Sequence, residues 1–297
     1  MPLFEGLSAF PITPTDANGR VDLEALRGLL ARLLAAGVDS IGLLGSTGSY
    51  PYLTRAERRR TIEAAVEQAR GRIPILVGIG ALRTDEAVRL SQDAEAAGAA
   101  AGLLAPVSYT PLNDDEVFEH FATVARASSL PLCIYDNPGT THFAFSPALI
   151  GRLSQLPNLH AVKSPAPGAE TIADHLRGLR EVIPKGFSLG CSVDWHATEA
   201  LLAGAGTWYS VAGGLFPEPC LKIVRAALSG EAAEARRLNA EMRPLWDIFK
   251  QFSSLRVVYA AANLLDICHA VPPRPILPLP DAAQRKVAEV IEQLGLR

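Results

Sequence analysis

The sequence predicts an α/β protein built as a (β/α)8 (TIM) barrel with a C-terminal helical extension. Short apolar runs alternate with longer Ala/Leu/Arg/Glu-rich stretches of helical period over most of the chain, eight such runs can be counted, and after Val211 only helical periodicity remains. An open doubly wound sheet is the alternative, because closure leaves no mark in a sequence. The division expected is a barrel catalytic domain over residues 1–225 and a C-terminal helical region over 226–297.

The strands are predicted at 7–11, 40–44, 75–78, 102–105, 132–135, 160–163, 187–190 and 208–211. Between them, helices are predicted at 22–36, 55–69, 84–97, 114–128, 146–153, 170–179 and 194–203, each with apolar positions three or four apart. Several open on a capping residue; Thr54 and Glu57 have the spacing of a capping box. Four further helices follow at 219–229, 232–249, 254–268 and 281–294, and a proline-rich stretch at 271–280 precedes the last, stiff and extended.

With 297 residues, 48% hydrophobic and 20% charged, the chain can bury a sizeable core and reads as a soluble globular protein. A net charge of -3 with mixed signs gives no basic footprint, so no nucleic-acid partner is expected. No apolar run approaches the roughly 18 residues that span a bilayer, so no membrane partner is expected. The start, Met1-Pro2-Leu3-Phe4-Glu5-Gly6, has neither a charged n-region nor a long apolar h-region and predicts no secretory signal. Cys133, Cys191, Cys220 and Cys268 form no CxxC pair, which predicts reduced thiols in a cytoplasmic enzyme. His120, His142, His160, His175, His196 and His269 show no metal-ligand spacing, so no metal is expected.

Chemistry concentrates at the carboxyl ends of the predicted strands, where a barrel of this kind carries its site. Only five of the 28 basic residues are lysines, and Lys163 is the one that closes an apolar strand; there desolvation favours the free amine that attacks a carbonyl. Position alone also fits a strand-end lysine that reaches solvent or an acid. Tyr135 closes the neighbouring strand, and a phenol beside an amine can shuttle the protons of carbinolamine formation and dehydration. Gly45-Ser46-Thr47-Gly48-Ser49 can offer backbone N–H groups and hydroxyls to an anion, or serve as an ordinary small-residue turn. Cys191, Asp136 and Asp194 also fall near strand ends, where a place at the site is open to them beside core packing of the thiol and capping or structural hydrogen bonding of the carboxylates.

These residues resemble a known family. Gly45-Ser46-Thr47-Gly48 resembles its GTTGE loop, Tyr135-Asp136-Asn137-Pro138-Gly139-Thr140-Thr141 its YNxPxRT segment, and Ala161-Val162-Lys163 its G-[IV]-K-[ED] strand. The family is that of dihydrodipicolinate synthases and N-acetylneuraminate lyases. The resemblance implies a class I, pyruvate-type aldolase or lyase with no metal and no organic cofactor, usually a homotetramer built as a dimer of dimers. It assigns the imine to Lys163, proton relay to Tyr135 and Ser46, and the carboxylate of the 2-oxo acid to Thr47 with Gly45 beside it. Gly190 and Tyr209 match the strand ends where the family's backbone contacts the keto acid.

The chain departs from the family at the far side of the pocket. Thr140 stands where the synthases place a carboxylate-clamping arginine, Ser49 replaces the acid after the glycine loop, and Pro106-Val107-Ser108-Tyr109-Thr110-Pro111 replaces a pair of tyrosines. Tyr109 is the candidate to supply the missing phenol, and Thr140, Ser108, Trp208 and Tyr209 form the expected acceptor side. The function expected is therefore a Schiff-base lyase or aldolase of a 2-oxo acid with an aldehyde or sugar-acid-derived partner. The alternatives are condensation of pyruvate with aspartate semialdehyde, dehydration of a deoxy-keto sugar acid, and a barrel that binds a keto acid without turning it over.

Overall fold

The eight apolar runs pair in sequence order, the last with the first, into a closed barrel of parallel strands in the computed structural model, which describes residues 3–297. Met1 and Pro2 of the expected leaderless start lie outside the described residues. The strands are β1 (Gly6–Ala9), β2 (Ser40–Leu43), β3 (Ile75–Gly78), β4 (Ala101–Leu104), β5 (Leu132–Tyr135), β6 (Leu159–Pro165), β7 (Ser188–Ser192) and β8 (Thr207–Ser210). Closure excludes the open sheet. β6 and β7 run on beyond their predicted ends, pairing Ser164 with Cys191 and Pro165 with Ser192, so Lys163 lies inside a strand.

Helices α1 (Leu23–Ala36), α2 (Arg55–Ala69), α3 (Thr84–Ala96), α4 (Asp114–Ala127), α5 (Pro138–Thr141), α6 (Pro147–Leu153), α7 (Ile172–Val182), α8 (Ala197–Leu202) and α9 (Pro217–Leu228) surround the barrel. Asp22 caps α1 by accepting from the N–H groups of Glu24 and Ala25, both at 3.0 Å. Thr54 caps α2 through the Glu57 N–H, but the Glu57 carboxylate turns away to the Val21 N–H at 2.7 Å, so the reciprocal box expected there does not form. Asn113 and Glu116 make one at α4.

The predicted helix 232–249 divides into α10 (Ala232–Glu241) and α11 (Arg243–Phe252). Pro244, which has no N–H to give an unbroken helix, starts the second piece. α12 (Ser254–Leu264) and α13 (Asp281–Leu294) complete the chain. No described helix is long and apolar enough to cross a membrane.

Two layers of side chains follow from strand alternation. Residues facing into the barrel, among them Phe10, Leu76, Leu103, Cys133, Tyr135, Ala161 and Tyr209, form one buried cluster. The alternate residues face out and join the helices in a larger core, where the Trp208 ring meets Trp246 of α11 edge-on at 6.3 Å. Space inside the barrel is allotted residue by residue. A Cβ on Gly42 would lie 2.2 Å from the Phe10 ring, and one on Gly190 would lie 2.2 Å from the Tyr209 ring, so each large ring occupies a place that a glycine leaves empty.

Candidate active site

Register, rather than any single motif, brings the amine and the phenol together. Tyr135 on β5 is the pairing partner of Lys163 on β6, so both side chains leave the sheet in the same direction and at the same height. Lys163 is 5% exposed, and its Nζ lies 3.9 Å from the centre of the Phe10 ring, 4.2 Å from that of Tyr135 and 5.8 Å from that of Tyr209. Among the described residues no carboxylate forms an ion pair with it. Aromatic faces accept the positive charge of an ammonium or an iminium.

The Tyr135 hydroxyl is 3.1 Å from Ser46 Oγ, across from the loop that follows β2. That loop turns sharply: Leu44 and Ser49 bracket it, both with φ of 54°. It thereby delivers Ser46 and Thr47 to the barrel mouth. Thr47 is buried beside them and lines the same cavity. Gly45 does not line the cavity; it lies against the Phe10 ring, where an added Cβ would stand 2.6 Å away.

A cavity of about 530 Å³ opens above these groups. Lys163, Tyr135, Ser46, Thr47, Thr140 and Tyr209 all line it. Tyr209 is fully buried, its hydroxyl 3.6 Å from Cys133 Sγ, and burial holds that phenol well above its usual range. Gly190 lies under the Tyr209 ring and shapes the cavity through it.

Ser108 and Trp208, expected on the acceptor side, and Tyr109, expected to supply the missing phenol, do not line the cavity of this chain. Tyr109 is 97% exposed and outside the cavity of its own chain. Ser108 bonds the carbonyl of Thr110 within the segment after β4 instead of lining the cavity. Trp208 faces out by strand parity, and its indole N–H donates to Asp194 at 2.9 Å. Asp194 also accepts from the N–H groups of Val211 at 3.2 Å and Ala212 at 2.9 Å, which fixes the loop after β8. Cys191 is a buried core thiol.

The cavity also contains residues that the sequence does not point to. Asn137 donates from Nδ2 to the Tyr135 hydroxyl at 3.0 Å and to Ser46 Oγ at 3.3 Å. Its place within the Tyr135–Thr141 segment was its only signal. Trp195, Ser253, Ser254, Leu255 and Ile276 line the mouth. Four of these come from the α11–α12 junction and the proline-rich stretch, so the C-terminal region forms part of the wall. Tyr50 lines it from the other side, backed by a buried Arg58 that donates to the carbonyls of Gly78 at 2.7 Å and Gly80 at 3.1 Å. Burial without a carboxylate partner brings that guanidinium down to about 10.

The fold and sequence of this chain are shared with known proteins over nearly its full length. Residues 3–294 match the model of the dihydrodipicolinate synthetase family. A 4-hydroxy-tetrahydrodipicolinate synthase of Alcanivorax borkumensis is 34% identical over 286 residues, with 96% of each chain covered. A solved dihydrodipicolinate synthase from Agrobacterium tumefaciens is 58% identical with a TM-score of 0.96 and 98% of each chain covered. Another, from Aquifex aeolicus, is 30% identical with a TM-score of 0.92 and 99% of each chain covered. Barrel, lysine and phenol thus occur in a chain that belongs to the dihydrodipicolinate synthetase family.

Proposed function

We propose that Lys163 forms an imine with the carbonyl of a 2-oxo acid, pyruvate being the simplest, and that Tyr135 and Ser46 carry the protons. The protein is an enzyme, a lyase or aldolase of the lysine-imine class. The observation that carries the site assignment is the pairing of Tyr135 with Lys163 at one height on adjacent strands, with Ser46 in reach of the phenol.

The free amine attacks the carbonyl carbon, and the oxygen leaves as water after taking a proton from the Tyr135–Ser46 pair. The iminium then draws electrons from the neighbouring carbon, so a C–H or C–C bond there can break and a C–C bond can form. Thr47 and the adjacent loop N–H groups are suited to the carboxylate of the acid, and Gly190 and Tyr209 set the wall against which it lies. The second substrate enters past Thr140, whose hydroxyl donates to the Asn137 carbonyl at 3.2 Å. An aldehyde or sugar-acid-derived partner suits this uncharged position. Condensation of pyruvate with aspartate semialdehyde is the second reading, favoured by the names of the relatives.

Incubation with pyruvate followed by borohydride should add one pyruvate-derived mass to the peptide that carries Lys163. Absence of an adduct with pyruvate and with a panel of 2-oxo acids would sink the reading. Condensation with aspartate semialdehyde separates the two substrate assignments: weak activity in the wild type with gain in Thr140→Arg supports the first, and high wild-type activity the second. All four cysteines are free thiols, which supports a reducing, cytoplasmic location. The exposed Tyr52, Leu82 and Tyr109 support self-association into an oligomer, which light scattering would measure.

A further inference from the structure

We propose that Asn137 is a positioning residue that holds the Tyr135–Ser46 pair and stabilises it after it has given up a proton. This rests on the Schiff-base reading above. Tyr135 Oη, Ser46 Oγ and the Asn137 amide form a triangle with sides of 3.1, 3.0 and 3.3 Å. Three contacts require three protons. The two hydroxyls bring one each, so an amide turned to present its oxygen would leave one side of the triangle with lone pair against lone pair. An amide presenting Nδ2 adds two protons, fills all three sides, and leaves one hydroxyl proton over. That spare proton is the one the pair can give to the cavity.

The backbone fixes the amide in place. The Asn137 carbonyl accepts from the N–H groups of Thr140 at 2.9 Å and Thr141 at 3.0 Å, and from their hydroxyls at 3.2 and 3.0 Å. The short α5 is thus a clamp on residue 137.

The consequence follows the proton. When the pair has protonated the leaving oxygen of the carbinolamine, it carries a negative charge. Two amide N–H groups remain directed at that charge, and donors to the anionic form favour it. The same deprotonated pair then takes a proton from the carbon next to the iminium. That C–H bond's electrons form the enamine double bond, and the iminium nitrogen takes back its π pair. An amide does not itself relay a proton at neutral pH, so Asn137 acts through the pair and not as a link in the chain.

The test uses pyruvate alone, by following exchange of its methyl protons in D2O by NMR across pH, in the wild type, Asn137→Leu and Asn137→Asp. Borohydride capture at Lys163 and the melting midpoint are measured on the same samples. In Asn137→Leu the loss of donors to the anion should move the acidic limb of the exchange profile up by about one pH unit, about tenfold in rate at a fixed pH below it. Asn137→Asp, whose ionised carboxylate only accepts, should be slower still. Both variants should melt close to the wild type and reach the same end-point adduct.

Profiles that superimpose on the wild type overturn the proposal, as does a uniform loss of rate with no shift of the limb, which is what a merely structural role produces. A wild type that forms neither adduct nor exchanged pyruvate overturns the Schiff-base reading itself, and is told apart because it is read before any substitution.

Discussion

Lys163 and Thr140 line one cavity, yet they are held in opposite ways. Lys163 is nearly buried among three aromatic rings on a strand whose neighbours are paired on both sides. Thr140 is exposed on a four-residue helix and spends its hydroxyl on the backbone. The floor is therefore specified by sheet register and ring packing, and a change there disturbs several residues at once. The mouth is assembled from loop and helix ends, of which α5 also clamps Asn137 through its backbone carbonyl. Chemistry common to a reaction class suits the first environment, and substrate preference suits the second.

Substitutions that separate floor from mouth should rank accordingly. Lys163→Ala should abolish borohydride-trapped adduct and lower turnover by about 10⁴-fold or more, since among the described residues no other amine lines the cavity. Measurable adduct on another residue would break the comparison. Tyr135→Phe keeps the ring against Lys163 but removes the hydroxyl shared with Ser46 and Asn137, and should cost about 10²- to 10³-fold in kcat in steady-state assays.

Gly190→Ala tests the packing of the floor without touching a proton carrier. The added methyl would stand 2.2 Å from the Tyr209 ring, and the strain should cost about 1–3 kcal/mol in denaturant unfolding. An unchanged midpoint would show that the ring moves freely.

Asp136 gives a pH-dependent counterpart at the end of β5, next to Tyr135. Burial pushes its carboxyl up to about 6, and one of its oxygens has no hydrogen-bond partner. A carboxyl raised above its unfolded value contributes stability below about pH 4 and loses it as pH rises through about 6, a change of at most about 2–3 kcal/mol. Asp136→Asn should flatten that window in melts recorded from pH 4 to 8; an unchanged pH dependence would show that another group is responsible. The smallest effect belongs to the mouth. Thr140→Arg should leave pyruvate capture within about twofold of the wild type while altering which aldehydes are accepted.

The two regions also differed in how far they could be read beforehand. Lys163 and Tyr135 are legible because strand ends and parallel pairing are written in short-range pattern, whereas Ser46 stands out only through the resemblance of its loop to the family's. Strand parity contradicts the acceptor-side expectation for Trp208: Tyr209 points in, so its neighbour points out. Asn137 escaped because its contacts depend on the backbone reversal of α5, and Ser253, Ser254, Leu255 and Ile276 because they arrive by packing of distant segments. Long-range packing has no period to detect.

The fit of Phe10 against Gly42 and Gly45 has a practical reach beyond this reaction. Anyone who diversifies the barrel interior one position at a time will find both glycine sites closed, since each larger residue there meets the Phe10 ring, so the three positions do not vary independently. They behave as one variable with three letters, and a library that shrinks Phe10 while enlarging either glycine searches shapes that single replacements cannot reach.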